Sequence, residues 1–195
     1  MKAIAFVVLV ISSFLPLHAQ EALQNGDFSD AITHWHGDGR SPADYASDNP
    51  LQSSDPFTSK GLIVPLKQKT WSKVAQDFTG KIASGILSVT FMVSADFSFS
   101  SSPDDYANVP AQLGWGWKSF KSPPGNWLVF INDIDGTTGN YYVIKTNAHT
   151  SEPQTVRYKV KGLFPLEAQT ITLAFPPGTG TVVVLSISLT DAPSQ

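Results

Sequence analysis

The regular alternation of apolar and polar residues constrains the fold of this chain more than any other feature of its sequence. In three segments every second residue is apolar, mostly with Ser, Thr, Lys or Arg between; they cover residues 87–93, 155–161 and 183–189. Such alternation is typical of a β-strand with one buried face and one face in water. No segment sustains the period of an α-helix, and the 14 prolines are spread throughout. The pattern therefore predicts an all-β chain.

Turn-forming residues separate further apolar segments and predict how the strands connect. Residues 127–131 are continuously apolar, as expected of a central sandwich strand. Residues 135–140 and 176–180 are rich in Gly, Thr and Pro and are expected to form hairpin turns. The other predicted strands cover residues 22–28, 61–66, 73–78, 141–144 and 170–175. We expect one antiparallel β-sandwich of about nine strands, with long loops at residues 29–59 and 95–126.

Charge and cysteine content narrow the classes of function. The chain has 195 residues, a formal net charge of −3, no cysteine and no basic run. Nucleic acids and anionic membrane surfaces are bound by clustered Lys and Arg, so neither is an expected partner. Only 15% of the residues are charged while 11% are aromatic, a composition typical of an extracellular all-β domain.

The N-terminal segment has the features of an export signal. Lys2 precedes an apolar run over residues 3–17, and Ala19 is the small residue that a signal peptidase reads. The run is shorter than the ~20 residues of a membrane span. We expect residues 1–19 to be removed, which leaves a single β-sandwich domain over residues 20–195 with no membrane span. The mature protein is expected to be secreted, or to lie in the periplasm or on the cell surface.

Aromatic side chains in the long loop at residues 95–126 form the candidate ligand site. Trp115 and Trp117 are separated by one residue, so in an extended strand both would point to one face, ~7 Å apart. Tyr106 and Asn108 lie near them in sequence. A flat aromatic surface with a few polar groups suits a sugar ring, so we assign these residues to ligand binding. The alternative is that the aromatic rings hold the loop on the sandwich, because a Trp contributes a large apolar surface wherever it packs.

Other residues that could carry chemistry are better explained as structure. Trp35, Trp71 and Trp127 are predicted to be core residues. His34 and His36 would lie on one face of a strand, but a zinc site needs a third protein ligand and no spacing supplies one. No metal and no cofactor are predicted from these residues.

The sequence gives little support for catalysis. It contains no Gly-x-Ser-x-Gly elbow, no cysteine nucleophile and no His-Glu-x-x-His motif. Glycoside hydrolysis needs two carboxylates held across the sugar. After residue 19 the glutamates are Glu21, Glu152 and Glu167, and the aspartates are scattered through loops. The chain is therefore expected to bind a ligand rather than to act as an enzyme.

Segments at both ends of the mature chain resemble a known family. Residues 23–30 read LQNGDFSD and are followed by ITHW, similar to the opening "NGDFS…GW" strand of the galactose-binding-like jelly rolls. VAQDF at residues 74–78 and GILSVTF at residues 85–91 resemble a strand pair of that family. ITL at residues 171–173 and PGTGTVVV at residues 177–184 resemble its closing hairpin. The opening motif is typical of carbohydrate-binding modules of the family 4 and 9 type, which the chain resembles.

This resemblance implies a jelly-roll sandwich, sugar binding as the commonest role, and often a structural Ca²⁺ near the paired ends of the first and last strands. Leu185 and Ser186 stand where the family has acidic residues, and Ser29 stands where it has Glu. Because Ca²⁺ takes about six to eight oxygen ligands, several of them usually carboxylates, no metal is predicted. The expected function is a secreted, non-catalytic carbohydrate-binding protein whose partner is a polysaccharide or another cell-envelope component. The alternative is an extracellular structural or protein–protein interaction sandwich without a sugar ligand.

Overall fold

Eleven β-strands account for most of the regular structure in the part of the chain that the computed structural model describes. These parts are residues 21–48, 61–79, 84–115, 120–133, 139–146, 152–161 and 169–191. The strands are β1 (His36–Gly37), β2 (Leu62–Pro65), β3 (Ser72–Phe78), β4 (Ser84–Val93), β5 (Ser98–Phe99), β6 (Asn126–Asp133), β7 (Gly139–Lys145), β8 (Gln154–Lys161), β9 (Gln169–Phe175), β10 (Gly178–Thr179) and β11 (Thr181–Asp191). Two short helices, α1 (Pro42–Asp48) and α2 (Val109–Gln112), and a 3-10 helix (Pro103–Tyr106) lie between strands. Among the described residues, no helix is long and apolar enough to cross a membrane.

The strands form a sandwich of two sheets with one core between them. One sheet has five strands in the order β1-β3-β9-β6-β7, and the other has four in the order β2-β11-β4-β8; β5 and β10 form a separate pair. Every described strand pair is antiparallel. Alternate residues of the long strands point into the core, for example Phe91 of β4, Trp127 of β6 and Leu189 of β11. The predicted antiparallel β-sandwich is confirmed.

Strand β6 is buried on both faces, which explains its continuous apolar run. Trp127 and Val129 lie in the core between the sheets. Leu128 and Phe130 belong to a second hydrophobic cluster on the opposite face of the five-stranded sheet. A strand that is covered on both faces needs apolar residues at successive positions. The prediction of a central strand at residues 127–131 is confirmed, since β6 lies between β9 and β7.

The long loop at residues 95–126, here named the covering loop, packs on the outer face of the five-stranded sheet through its described residues between Tyr106 and Phe120. Phe97 and Phe99 at its start pack with the core between the sheets. The buried members of this second cluster are Trp71, Tyr106, Val109, Leu113, Leu128, Phe130 and Ala174. Trp71 donates its indole N–H to the carbonyl of Asp105 at 2.8 Å. Lys73 Nζ donates to the carbonyl of Leu113, the C-cap residue of α2, at 3.0 Å. Aromatic packing and these two hydrogen bonds therefore hold the described part of the loop on the sheet.

Residues 22–28 do not form the predicted strand. Glu21 and Thr190 form an isolated bridge at the edge of the four-stranded sheet. Asn25 and Phe28 have φ angles of 48° and 54°. These left-handed conformations interrupt an extended strand, and the sequence pattern does not reveal them.

The side chain of Gln76 on β3 forms hydrogen bonds with the backbone of this N-terminal segment, as a neighbouring strand would do. Its carboxamide donates to the backbone carbonyl of Gln24 at 2.7 Å and accepts from the backbone N–H of Gln24 at 2.8 Å. Gln76 is only 1% exposed, so a buried polar group is satisfied by these two bonds. The glutamine of the VAQDF segment thus connects the five-stranded sheet to the start of the described chain.

Residues 176–180 connect the two sheets, so the predicted hairpin at this position is wrong. Strand β9 pairs with β3 and β6, whereas β11 pairs with β2 and β4. Gly178 and Thr179 form β10, which pairs with β5. Pro176 and Pro177 have no backbone N–H and cannot extend a ladder. The chain crosses here between sheets that pack ~10 Å apart.

A β-bulge in β11 changes which of its residues face the core. The pairing of β11 with β4 is irregular between Val184 and Ser186. Val184 before the bulge and Ile187 after it both point into the core. Val183, which the sequence pattern placed on the core face, packs against Ile63 on the outer face. The inserted residue explains the change, because one extra residue reverses the faces of a strand.

Candidate functional site

The outer face of the five-stranded sheet carries the candidate site. Because Val74, Leu173 and Val129 point into the core, the residues next to them point outward. The pairing register places five outward residues in one row across the sheet, here named the outer row: His36 of β1, Ala75 of β3, Thr172 of β9, Phe130 of β6 and Tyr141 of β7. With ~4.8 Å between neighbouring strands, this row is about 19 Å long.

An aromatic cluster forms one end of the outer row. Phe120 of the covering loop stacks on Tyr141, with the ring centroids 4.4 Å apart and the planes at 5°. Phe120 also packs against Phe130 at 6.0 Å. Tyr141 is nevertheless 44% exposed. Because Phe120 covers one face of the Tyr141 ring, the exposed area belongs to the opposite face and the edge, which gives a flat surface in a fixed orientation.

Polar side chains lie toward the other end of the same face. Asp77 of β3 and Thr170 of β9 are paired in the next row, and the Thr170 hydroxyl donates to the Asp77 carboxylate at 2.6 Å. His36 is exposed at the end of the outer row. The face therefore offers a carboxylate, a hydroxyl and an imidazole together with an aromatic surface. This combination is typical of sites that bind sugars.

Trp115 lies beside the aromatic cluster, whereas Trp117 lies outside the described residues. The Trp115 ring packs edge-on against Phe130, with the centroids 4.6 Å apart and the planes at 82°. The side chain is half-buried. Its backbone N–H donates to the carbonyl of Pro110 at 2.8 Å, so the residue follows a helical turn rather than an extended strand. The strand geometry assumed for Trp115 from the sequence is therefore not observed.

Tyr106 and Asn108, the other two candidate residues, occupy different environments. Tyr106 is 1% exposed, and its hydroxyl donates to the carbonyl of Ser100 at 2.7 Å. Burial raises the pKa of the Tyr106 phenol. In this position Tyr106 packs as a core residue of the covering loop and presents no open ring face. Asn108 is exposed at the start of α2, with φ 50° and no side-chain capping bond.

Tyr141 and Phe120 are residues of this face that the sequence analysis did not single out. Tyr141 stood inside a predicted strand in which successive residues are all apolar or aromatic, so the outward positions could not be recognised. Most of the turn predicted at residues 135–140 lies outside the described residues, but the strands on either side of it, β6 and β7, are paired. Their register places Tyr141 opposite Phe130 across the sheet. Once Phe130 is assigned to the outer face, Tyr141 follows it.

The three tryptophans predicted to be structural are buried. Trp127 is 0% exposed, Trp71 5% and Trp35 6%. Trp127 stacks on Phe175 in the core at 4.7 Å. Trp35 packs against Phe28 and donates its indole N–H to the carbonyl of Asn25 at 3.3 Å. Their assignment as core residues is confirmed.

The calcium ion implied by the family resemblance does not fit the loop that follows the opening motif. The backbone carbonyls of Asp30, Ala31 and Thr33 converge on the side-chain nitrogen of Asn25 at 3.0–3.1 Å. The oxygen of the same carboxamide accepts the backbone N–H of Asp30 at 2.9 Å. Such a cluster of carbonyl oxygens could surround a cation, but the amide N–H groups occupy its centre. A hydrogen-bond donor thus holds this loop where Ca²⁺ would need oxygen ligands.

Nearby carboxylates also have other hydrogen-bond partners. Asp27 accepts from the backbone N–H and the hydroxyl of Ser29 at 3.2 and 2.9 Å. Glu21 accepts from the backbone N–H groups of Leu23 and Leu189 at 3.1 and 2.8 Å. Among the residues that the structure describes, no three His, Cys, Asp or Glu side chains are grouped as a metal site would require.

Comparisons with known proteins concern the fold. No family model and no curated protein matches the sequence. A Stig cyclase from Fischerella sp. TAU is similar over 91% of this chain and 100% of its own, with 12% identity and a TM-score of 0.50. An arabinose-bound α-L-arabinofuranosidase is similar over 87% of this chain and 26% of its own, with 13% identity and a TM-score of 0.51. The carbohydrate-binding module CBM61, in complex with β-1,4-galactotriose, aligns with 89% of this chain and 100% of its own, with 8% identity and a TM-score of 0.49.

These likenesses describe architecture, because identities of 12% and 13% carry no information about the site. The two sheets, their antiparallel pairing and the crossing between them are those of a jelly-roll sandwich. The chain therefore has a β-sandwich fold.

Proposed function

We propose that this chain is a secreted, non-catalytic protein that binds a polysaccharide at the outer face of its five-stranded sheet. The observation that carries the proposal is the Tyr141 ring, which is 44% exposed and held parallel to Phe120 at 4.4 Å. Sugar rings pack their C–H faces against flat aromatic rings of this kind. Because the stack fixes the ring before a ligand arrives, little rotamer entropy is lost on binding.

Polar residues beside the outer row support an extended ligand. The middle of the row is buried, with Ala75, Thr172 and Phe130 only 0–8% exposed, so a sugar can reach the row itself at Tyr141 and at His36, its two ends. Asp77 and Thr170 lie one row away, and His36 lies at the far end. Their carboxylate, hydroxyl and imidazole groups can exchange hydrogen bonds with sugar hydroxyls. We therefore assign Tyr141 to the contact with one sugar ring and the polar residues to contacts with neighbouring sugars.

Export and the lack of catalysis are parts of this proposal that rest on the sequence. Lys2, the apolar run at residues 3–17 and Ala19 support removal of a signal peptide and release from the cytoplasm. The sparse glutamates and the lack of a nucleophile motif in the sequence support a binding role. Incubation of the protein with a retained polysaccharide should release no new reducing ends.

The test of the site is the variant Tyr141→Ala, measured by affinity electrophoresis in gels that contain β-1,4-galactan, xylan or other neutral polysaccharides. Loss of a central aromatic contact should weaken binding by about 1–3 kcal/mol, or roughly five- to 150-fold. The loss of the Phe120 stack should lower the free energy of unfolding by only about 0.5–1.5 kcal/mol. The variant should therefore remain folded while its retention decreases.

Ile86→Ala is a matched control, since Ile86 is 42% exposed and lies on the opposite sheet. It should bind the neutral polymer like the wild type. Unchanged retention of Tyr141→Ala on a polymer that the wild type binds would remove the outer row as the binding site. Failure of the wild type to bind any polymer of the panel would contradict the proposed binding at the outer row. Failure to bind acidic polysaccharides as well would favour a structural or protein–protein role.

A further inference from the structure

The outer face of the four-stranded sheet carries a regular set of hydroxyl and cationic side chains. Leu87, Val89 and Ile187 point into the core, so their neighbours in β4 and β11 point outward. The register of β8, β4 and β11 places the outward residues in three rows, here named the hydroxyl face: Thr155–Thr90–Ser186, Arg157–Ser88–Ser188 and Lys159–Ile86–Thr190. With ~4.8 Å between strands and ~6.8 Å between alternate residues, the face measures about 10 by 14 Å.

Hydroxyl groups make up most of the hydroxyl face. Six of its nine residues are Ser or Thr, and they are half-buried or exposed. The hydroxyl oxygens of Thr90 and Thr155 are 3.0 Å apart, so neighbouring hydroxyls lie within hydrogen-bonding distance across the strands. A hydroxyl can donate and accept at once. The face can therefore form hydrogen bonds with a ligand that is itself rich in hydroxyl groups.

The charged side chains on the hydroxyl face are both positive. Arg157 and Lys159 are exposed on the edge strand β8. Among the described residues, Lys67 and Asp38 form an ion pair, whereas neither Arg157 nor Lys159 does. The chain as a whole has a net charge of −3, so the positive charge is a local property of this face. An anionic ligand would meet no carboxylate among these nine residues.

We propose that the hydroxyl face is a second binding site and that its ligand is a carboxylate-bearing polysaccharide, a polymer of uronic acids. The planar guanidinium of Arg157 matches a carboxylate with two parallel N–H donors. Lys159 lies ~6.8 Å further along the same strand and meets the charge of another sugar. The Ser and Thr residues of β4 and β11 bind the hydroxyl groups of the same sugars.

The hydroxyl face has few cations relative to its hydroxyl groups, which favours a uronic acid polymer over a polymer that carries many phosphate or sulfate groups. Nucleic acids and anionic membranes are bound by clusters of Lys and Arg that neutralise many phosphates. The hydroxyl face has two cations beside six neutral hydroxyls. A uronic acid carries one carboxylate and several hydroxyls, so its composition matches that of the face.

An alternative role for Arg157 and Lys159 is to protect the edge of the sheet against aggregation. Charged side chains on an edge strand prevent sheets of different molecules from pairing, whatever the sign of the charge. Binding of a uronate requires positive charge at Arg157 and Lys159 together with the neighbouring hydroxyls. A variant with reversed charge, Arg157→Glu with Lys159→Glu, would keep edge protection but should abolish retention by the polymer.

The experiment measures retention of the mature chain in native gels that contain polygalacturonate. The variant Arg157→Gln with Lys159→Gln should bind about tenfold more weakly, because exposed charge pairs contribute little each. Lys69→Gln with Lys145→Gln is the matched control, since both lysines are exposed on other parts of the molecule. It should bind like the wild type. Retention of the wild type should also decrease as salt is added.

Two further measurements separate the hydroxyl groups from charge alone. Thr155→Val removes a hydroxyl at nearly constant volume and should weaken retention by about threefold. Dextran sulfate should bind less tightly than polygalacturonate. The proposal would be overturned if the lysine control variant lost as much retention as Arg157→Gln with Lys159→Gln. Unchanged retention of Thr155→Val, or tighter binding of dextran sulfate than of polygalacturonate, would overturn it too.

The site is independent of the proposed function at the outer row. Tyr141→Ala should keep full retention by polygalacturonate, and Arg157→Gln with Lys159→Gln should keep full retention by the neutral polymer. A wild-type protein that binds neutral polymers but not polygalacturonate would overturn the second site alone. The reverse result would overturn the outer row alone.

Discussion

Replacing Asn25 by Asp tests whether a side-chain amide, rather than a metal ion, holds the loop at residues 25–35. In the structure the amide nitrogen lies 3.0–3.1 Å from the carbonyl oxygens of Asp30, Ala31 and Thr33. The substitution places a carboxylate oxygen at that position and leaves the other oxygen able to accept the N–H of Asp30. Asp also tolerates the left-handed φ of 48°, so the backbone conformation is retained.

The expected cost follows from the hydrogen bonds that are lost. The amide has two N–H donors that serve the three carbonyls, and a net contribution of about 0.5–1.5 kcal/mol for each gives about 1–3 kcal/mol. Repulsion between the carboxylate and the carbonyl oxygens acts in the same direction, but Asn25 is half-buried and water screens part of it. For a chain of this length the melting temperature should fall by roughly 2–12 °C.

Thermal unfolding with and without Ca²⁺ or EDTA completes the test. The wild type should melt at the same temperature in both solutions, because its loop is held by an amide. Asn25→Asp should regain stability in Ca²⁺, since its carboxylate and the three carbonyls then supply oxygen ligands. Calcium at about a hundred times its dissociation constant would add ~2.7 kcal/mol.

Asn108→Asp is the matched control, because Asn108 also has a left-handed φ of 50° and makes no capping hydrogen bond with its side chain. It should melt within about two degrees of the wild type, as surface substitutions usually change stability by less than ~0.5 kcal/mol. A decrease of several degrees when EDTA is added to the wild type would show that an ion holds the loop. Equal melting of Asn25→Asp and Asn108→Asp would refute the role of the amide.

Three further predictions concern packing, ionisation and processing. Trp115→Ala should lower the free energy of unfolding by about 1–3 kcal/mol in denaturant titrations, less than the ~3–5 kcal/mol of a fully buried Trp, and a smaller loss than ~0.5 kcal/mol would contradict its packing on Phe130. Burial raises the pKa of Tyr106, Tyr142 and Tyr158. These phenols therefore stay protonated in the folded protein at a pH where they ionise in the unfolded chain. Their contribution to folding stability is fully present below about pH 10 and is lost as the pH rises through the folded-state pKa. Tyrosinate absorbance should show these phenols ionising late in the folded protein and together on unfolding, and early ionisation of all five tyrosines would refute their burial. N-terminal sequencing of exported protein should begin at Gln20 or within about three residues of it, whereas an intact Met1 in a membrane fraction would contradict removal of the signal peptide.

The sequence predicted the long strands because period-two alternation reports directly on burial. In β4, for instance, every second residue from Gly85 to Val93 is buried. The continuous apolar run of β6 also indicated cover on both faces, although it could not identify what supplies the cover. The rest of the fold depends on contacts between residues that are far apart in sequence. Gln76 holds the backbone of Gln24, 52 residues away, and no local pattern encodes that contact.

The candidate site was less accessible to sequence reasoning, for a physical reason. The sequence alone does not show whether an aromatic residue packs in the core or is exposed to a ligand. Tyr106 is buried and Tyr141 is exposed, yet both follow polar residues in sequence. Only the register of β6 with β7 and the position of Phe120 distinguish them. Sequence reasoning therefore singled out residues of the covering loop, whereas the exposed ring lies on the adjacent strand β7.

The covering loop determines which part of the five-stranded sheet can bind a ligand. Val109 and Leu113 pack in one cluster with Leu128 and Ala174, which lie one row from the outer row. Without this cover, the outward apolar residues of β6 would form an exposed patch that attracts partners without selectivity. The same loop supplies Phe120, whose ring orients Tyr141. Cover and orientation thus come from one segment. The loop that packs over the apolar residues of β6 also fixes the ring of Tyr141, so the proposed aromatic contact with a sugar lies at the β7 edge of the sheet.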